Sequence, residues 1–382
     1  MQVPRQGRKL GITAVYLLLL LVASLRCVRN PFYQLDVLGY MGNALLMEDR
    51  DPVNIHTRVY ADAARDLPPA TYQDMTGQRG GSDDLVRSKQ DRAENPWHFA
   101  EYLPFFAIRP IYDQALYFLS KTGLGLVRAA ILISTTSYIF IGLIMFAWTS
   151  EYVGVGYAAA ASLLVMLSPP VTFVGRFAGS DALATLFALF SLFLIFEKQM
   201  LTPGLALLLV SIFVRTDNVV VAGLVLLVCV WQKRIKLWQG GVLACLALGS
   251  ALMINHFAGD YGIRMLYFRN FLGTPLAPAE NPVQFSAHDY IRAFREGLSN
   301  AADGVLIPFL LLATIGLAKA GTPRTVLFVT SAYVALHFVI LPNWQDRWFC
   351  LFYLTAGVAA VRAAAAQWRH MRARNVQTFS HT

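Results

Sequence analysis

Charge is scarce in this sequence: 14% of its 382 residues are Asp, Glu, Lys or Arg, against 56% hydrophobic residues and a mean hydropathy of +0.48. That balance excludes a soluble globular domain and describes a polytopic membrane protein. Cysteine is scarce too. Cys27, Cys229, Cys245 and Cys350 lie mostly in or beside apolar runs without C-x-x-C spacing, so neither a zinc site nor a disulfide framework is expected, only buried thiols. The seven histidines are scattered and form no H-E-x-x-H pair, which leaves no histidine-built metal centre. The net charge of +9 is spread over tails and loops, without the basic aromatic face that a nucleic-acid partner requires. No internal repeat, inverted or parallel, is visible, which weighs against a transporter.

What is abundant is apolar sequence between isolated charges. A membrane-crossing helix needs about 20 mostly apolar residues, and ionisable groups at mid-bilayer are costly. Ten runs qualify, at 10–26, 127–148, 152–170, 181–197, 201–215, 218–232, 238–257, 304–319, 325–342 and 348–366. Their interiors look clean apart from charges at the junctions. The first has the basic start of a signal peptide but no convincing A-x-A site after it, and reads as a retained helix. Lys and Arg in "QKRIK" (232–236), Lys319, Arg324 and "RHMRAR" (369–374) share a face with Arg5, Arg8 and Lys9. The positive-inside rule makes that face, the N-terminus and the tail 367–382 cytoplasmic.

The expected fold is therefore an all-α integral membrane protein, 1–382 as one polytopic domain, with two long loops on the far side at 27–126 and 258–303. The first carries Trp97, Tyr102, Phe105, Phe106, Tyr112 and Tyr117, punctuated by Pro96, Pro104 and Pro110. The segments 53–66 and 109–123 suit amphipathic helices at the membrane surface, whereas "MTGQRGGSDDLVRSKQDRAEN" reads as disordered or mobile. The aromatics Trp97, Tyr102 and Trp344 fit sugar or prenyl platforms and equally an ordinary interfacial belt.

This topology sends one set of charges to the outer face: Asp36 after the first run, Arg176 and Asp181, Arg215 and Asp217, Asp260 with Arg264 and Arg269, and Asp346 with Arg347. Singly, each reads as a structural ion pair or a snorkelling arginine. Jointly, they describe a site for a phosphate-bearing lipid. An arginine fork matches phosphate oxygens, and a carboxylate can take a proton from a hydroxyl or amine acceptor. The acidic run Glu48, Asp49, Asp51 beside Pro52 reads as a charged helix terminus rather than a divalent-cation site.

"LDVLGYMGNALL" resembles the segment after the first transmembrane helix of the GT-C superfamily of polytopic glycosyltransferases, in particular its protein-mannosyltransferase-like group. The family pattern is an Asp, a Tyr four residues on, then an Ala, matched here by Asp36, Tyr40 and Ala44. Asp181 in "GSDALATLF", Arg215 and Asp217 in "RTDN", and Arg347 before the last run also match, as does the amphipathic approach "RPIYDQALYFLSKTGLGLVRAA". Val37 stands where many members carry Glu, so a second acid would have to come from Glu48, Asp49 or Asp51.

The resemblance implies a multi-pass enzyme of a bacterial-type inner membrane that moves a sugar from a polyprenyl-phosphate carrier to an envelope glycan, lipid or protein. It implies an inverting reaction with Asp36 as general base or acceptor-orienting group, Arg347, Arg215 and Arg176 on the donor phosphate, and Tyr40, Asp181 and Asp217 in support. No cofactor is implied. Walker A, Rossmann and nucleophile-elbow motifs are lacking, so direct use of a nucleotide sugar is not indicated. The competing readings are a transporter or flippase of an anionic or lipid-linked substrate, and a non-catalytic scaffold of envelope assembly.

Overall fold

The computed structural model describes residues 3–79, 83–267, 270–271, 286–302, 310, 312–313 and 322–379. Helix is the regular structure throughout these residues, with one isolated bridge between Phe32 and Phe177. The chain enters through α1 (Val3–Arg29), which packs Tyr16, Leu20 and Ala23 inward and leaves Leu18, Leu21 and Leu25 exposed. Such a helix, apolar on its outer face as well, suits a hydrocarbon surround.

Residues 36–119 then build a helical cap: α2 (Asp36–Leu45), α3 (Pro52–Asp66), α4 (Pro69–Met75), α5 (Asp83–Glu94), α6 (Pro96–Tyr102), α7 (Pro104–Ala107) and α8 (Pro110–Leu119). Proline opens α3, α4, α6, α7 and α8, where its missing N–H would have no helical partner anyway. Asp51 caps α3 by accepting from the Val53 amide, and Asn95 caps α6 by accepting from Trp97 and His98. The prolines that looked like loop punctuation are thus helix starts. The acidic run 48–51 is spent on this capping and on ion pairs from Glu48 to Arg58 and Lys121.

The cap has its own apolar core, in which Val37, Met41, Phe99, Phe105, Phe106 and Leu116 pack against the first turns of α9 (Leu126–Ser150). Helix α2 is buried from Val37 to Leu45, and its glycines make that possible. A methyl at Gly39 would lie 2.1 Å from the Phe106 ring, and one at Gly42 would lie 2.4 Å from Leu103. Gly39→Ala is therefore expected to lower stability by about 1–3 kcal/mol through overpacking. Thermal unfolding of the purified protein checks this, and an unchanged midpoint would refute it.

One expectation fails in the cap. The stretch read as disordered contains α5, with Ser88, Lys89 and Arg92 buried. Lys89 pairs with Asp74 at 2.9 Å, and the Arg92 guanidinium lies 4.2 Å from the Tyr102 ring centre. The segment is polar but partnered, so low hydrophobicity was misleading there; 80–82 lie outside the described residues.

The remaining helices form the bundle: α10 (Val155–Met166), α11 (Pro169–Arg176), α12 (Asp181–Leu192), α13 (Leu201–Val214), α14 (Asn218–Trp231), α15 (Leu237–Phe257), α16 (Gly262–Tyr267), α17 (Ala287–Ala302), α18 (Thr322–Ile340) and α19 (Cys350–Phe379). This is an all-α membrane protein. Among the described residues, four segments are long and apolar enough to cross a bilayer: Gly7–Arg29, Leu126–Ser150, Leu237–Phe257 and Asp346–Arg369. The count is five if α10 and α11, bent by 68° at Ser168 and Pro169, are one span.

The runs expected at 201–215 and 218–232 are 14-residue helices, rising only about 21 Å each. They are cut short by the polar turn Arg215–Asp217 between them. The run expected at 304–319, apart from 310 and 312–313, and the side chains of Arg264 and Arg269 lie outside the described residues. At the end of the bundle away from that turn, Lys198 pairs with Glu151, Arg234 donates to the Ile195 carbonyl and Arg369 to the Tyr152 carbonyl.

Candidate functional site

The cap sits over the other end of the bundle, where helix termini bring scattered charges together. Asp181 opens α12, Arg215 follows the last residue of α13, and Asp217 precedes α14, so two helix starts and one helix end meet there. Arg347 lies in the short turn Asp346–Phe349 ahead of α19, and Asp36 is the first residue of α2. Carboxylates in a first helical turn are favoured by the positive end of the helix dipole.

The segment leading to Asp36 is stitched to the one leading to Asp181. The Phe32 amide donates to the Arg176 carbonyl at 2.8 Å, and the Ala178 amide donates to the Phe32 carbonyl at 3.1 Å. This bridge fixes Phe177, whose ring lies 4.4 Å from the Arg347 guanidinium. Arg215 lies in the same way 4.5 Å from the Trp348 ring centre. Aromatic faces thus hold both guanidinium planes, which limits the rotamers they must lose on binding a ligand.

The charges form one chain of contacts. Arg347 reaches Asp36 at 3.7 Å and Asp181 at 3.5 Å. Arg215 is paired with the other Asp181 oxygen and with Asp217 at 2.9 Å, and His337 approaches Asp217 at 3.5 Å. Asp181 is 7% exposed and Asp36 is 22% exposed, so Asp181 is the buried bridge and Asp36 the accessible end. Burial pushes the Asp217 carboxyl up, but Arg215, His337 and Arg109 together more than offset this and hold it below the usual carboxylate range.

These groups open on a cavity of about 180 Å³, bounded by Asp36, Arg109, Arg215, Asp217, Arg347 and Trp348, with Asn343 and Gln345 beside them. Gln345 accepts from the Arg347 Nε at 2.8 Å. Arg109 comes from the cap, between α7 and α8, and donates to the Phe105 carbonyl at 3.1 Å. Three arginines and two aspartates thus line the cavity, with Asp181 behind Arg215 and Arg347. An incoming anion meets Arg215 and Arg347 already paired with carboxylates and Arg109 bonded to a carbonyl.

The chain matches no protein-family model, no curated protein and no solved structure.

Of the residues singled out in the sequence, Asp36, Asp181, Arg215, Asp217 and Arg347 are brought together. Tyr40 lies behind them, 3.4 Å from the Ser180 hydroxyl and edge-on to Tyr112, with Arg109 over its ring. Arg176 lies apart: its Nε donates to the Asn30 carbonyl at 2.6 Å and it lines a different groove. Val37 is wholly buried in the cap core, so an acid at that position would face apolar side chains and not the cavity.

Two participants were missed. Arg109 lies inside the first long loop, away from the span junctions where charges were sought, although the Arg-Pro helix start marked its place. His337 lies within α18, in an apolar run whose interior looked clean of ionisable groups, and it is 2% exposed. A histidine inside such a run is a functional candidate in its own right.

A further carboxyl, Asp113 of α8, is buried under the cap with its Oδ1 unpartnered, and burial pushes its pKa well above the usual range. The folded state keeps this proton while the unfolded state loses it near pH 4. Stability must then fall as pH rises from that point towards the folded pKa. Asp113→Asn should flatten this slope and leave the protein at least as stable at pH 8, as thermal unfolding across pH 5–8 would report. A variant less stable at pH 8 would mean that the charged form is the one being held.

Proposed function

We propose that the protein is a membrane glycosyltransferase of the GT-C type, which transfers a sugar from a polyprenyl-phosphate carrier to an envelope acceptor by an inverting displacement. The observation that carries this reading is the cavity in which an accessible carboxylate, Asp36, adjoins Arg347 and Arg215 at the head of an apolar bundle. A headgroup anchored in the bilayer has to be met at that depth, and a carboxylate opening a buried helix is held there where a loose loop would not hold it.

In the proposed reaction Asp36 takes the proton from the acceptor hydroxyl or amine as its oxygen or nitrogen attacks the anomeric carbon. The bond from that carbon to the phosphate oxygen breaks, and its electron pair leaves with the carrier phosphate. Arg347, Arg215 and Arg109 stabilise that charge on preorganised guanidinium groups. Donor phosphate would first draw Arg347 away from Asp36, the longest contact of the chain, so binding and exposure of the base are coupled.

On this reading the ten apolar runs make a ten-helix fold, the cap is extracytoplasmic, and the N-terminus and the Lys- and Arg-rich turns at the opposite end are cytoplasmic. The test is transfer of radiolabelled sugar from envelope lipid extracts by the protein reconstituted in vesicles. Product formation from any polyprenyl-phosphate sugar supports the reading. No transfer from any lipid, with labelled lipid instead crossing the vesicle wall, would replace it with transport.

A further inference from the structure

A second groove, of about 530 Å³, lies between the end of α1 and the bent pair α10–α11, with Arg26 and Arg176 among its lining. Ala23, Leu167, Pro169 and Phe173 give it an apolar side, and Asn30 and Thr172 complete the lining. It shares no lining residue with the charged cavity. Neither arginine has a carboxylate within ion-pair distance among the described residues. The bond from Arg176 to Asn30 uses one of the five N–H groups of its guanidinium.

Two arginines without a carboxylate partner thus flank an apolar groove at the end of a helix long and apolar enough to cross a bilayer. A ligand that suits both features carries a negative charge at one end and hydrocarbon at the other. The volume lies within the range of ordinary ligand sites, and basic pockets between membrane helices suit lipid headgroups. No carboxylate lines the groove, so it holds nothing that would act chemically on its occupant. That favours a resident lipid over a second substrate.

We propose that this groove binds an anionic phospholipid, its phosphate between Arg26 and Arg176 and one acyl chain along Leu167, Pro169 and Phe173. The site does not depend on the transferase reading. Its occupant would brace α1 against α11 at the point where Arg176 holds the chain just before Asp36.

The test is native mass spectrometry and thermal unfolding of the delipidated full-length protein in detergent. The probes are dioleoylphosphatidylglycerol, dioleoylphosphatidylcholine and inorganic phosphate. The glycerol lipid should bind and raise the unfolding temperature, and the other two should do neither at equal concentration. Arg26→Gln with Arg176→Gln should weaken binding at least about tenfold, as expected for losing one charge-assisted hydrogen bond or more. Leu167→Trp, which fills the groove and leaves both arginines, should weaken it as well.

Unchanged affinity in the double variant would overturn the proposal. Equal protection by inorganic phosphate would overturn the lipid as occupant, and equal binding of the choline lipid would overturn the role of its net charge. Should the double variant not fold, Arg26→Gln alone, at an exposed position, and Leu167→Trp decide the matter in the same way.

Discussion

Asp36→Asn should lower sugar transfer by about 10²- to 10⁴-fold, the range for loss of a general base, with donor binding and unfolding temperature nearly unchanged. The amide keeps the size of the side chain and can still face the cavity, but it cannot take a proton at neutral pH. It also removes one negative charge from beside Arg347, so donor phosphate meets less competition and binds as well or better. The informative pattern is therefore a fall in kcat without a rise in KM, which marks an interaction made in the transition state alone. A parallel loss of donor binding would make Asp36 a structural partner of Arg347. Undiminished transfer would remove it from the chemistry altogether.

Much of this site was readable because each of its members sits at a helix end, and helix ends are where a hydrophobic sequence shows its charges. Asp181, Arg215, Asp217 and Arg347 were found by looking between apolar runs, and they do meet. Arg176 obeyed the same rule and still lies elsewhere, because the bend at Ser168 and Pro169 turns α11 by 68° and carries its last residue towards α1. Spacing along the chain gives no access to such a bend.

The cap was only half legible. The amphipathic pattern at 53–66 and 109–123 anticipated α3 and α8, but the prolines that open α4, α6 and α7 read as punctuation, and α5 is held by polar contacts such as Lys89 to Asp74 and Arg92 on the Tyr102 ring, which composition reads as solvent exposure. His337 escaped because a single imidazole barely lowers the hydropathy of the run around it.

The largest effect on the fold should come from Arg215→Ala. Arg215 is 8% exposed and, among the described residues, is the ion-pair partner that joins Asp181 to Asp217. Removing it leaves two poorly exposed carboxylates short of a positive charge, and breaking a buried network by deleting one member costs about 3–5 kcal/mol. Arg347 makes longer contacts, at 3.5 and 3.7 Å, so Arg347→Ala should cost less stability and more donor affinity.

The mechanism behind the Arg215 loss can be isolated. If unpaired charge is the cause, Arg215→Ala combined with Asp217→Asn should recover part of the stability, because the second change removes a carboxylate that the first orphaned. The two single effects would then sum to more than the double. Additive losses in detergent unfolding would place the contribution of Arg215 in its packing against Trp348 instead, and would make that aromatic contact, rather than the aspartates, what fixes the arginine at the cavity.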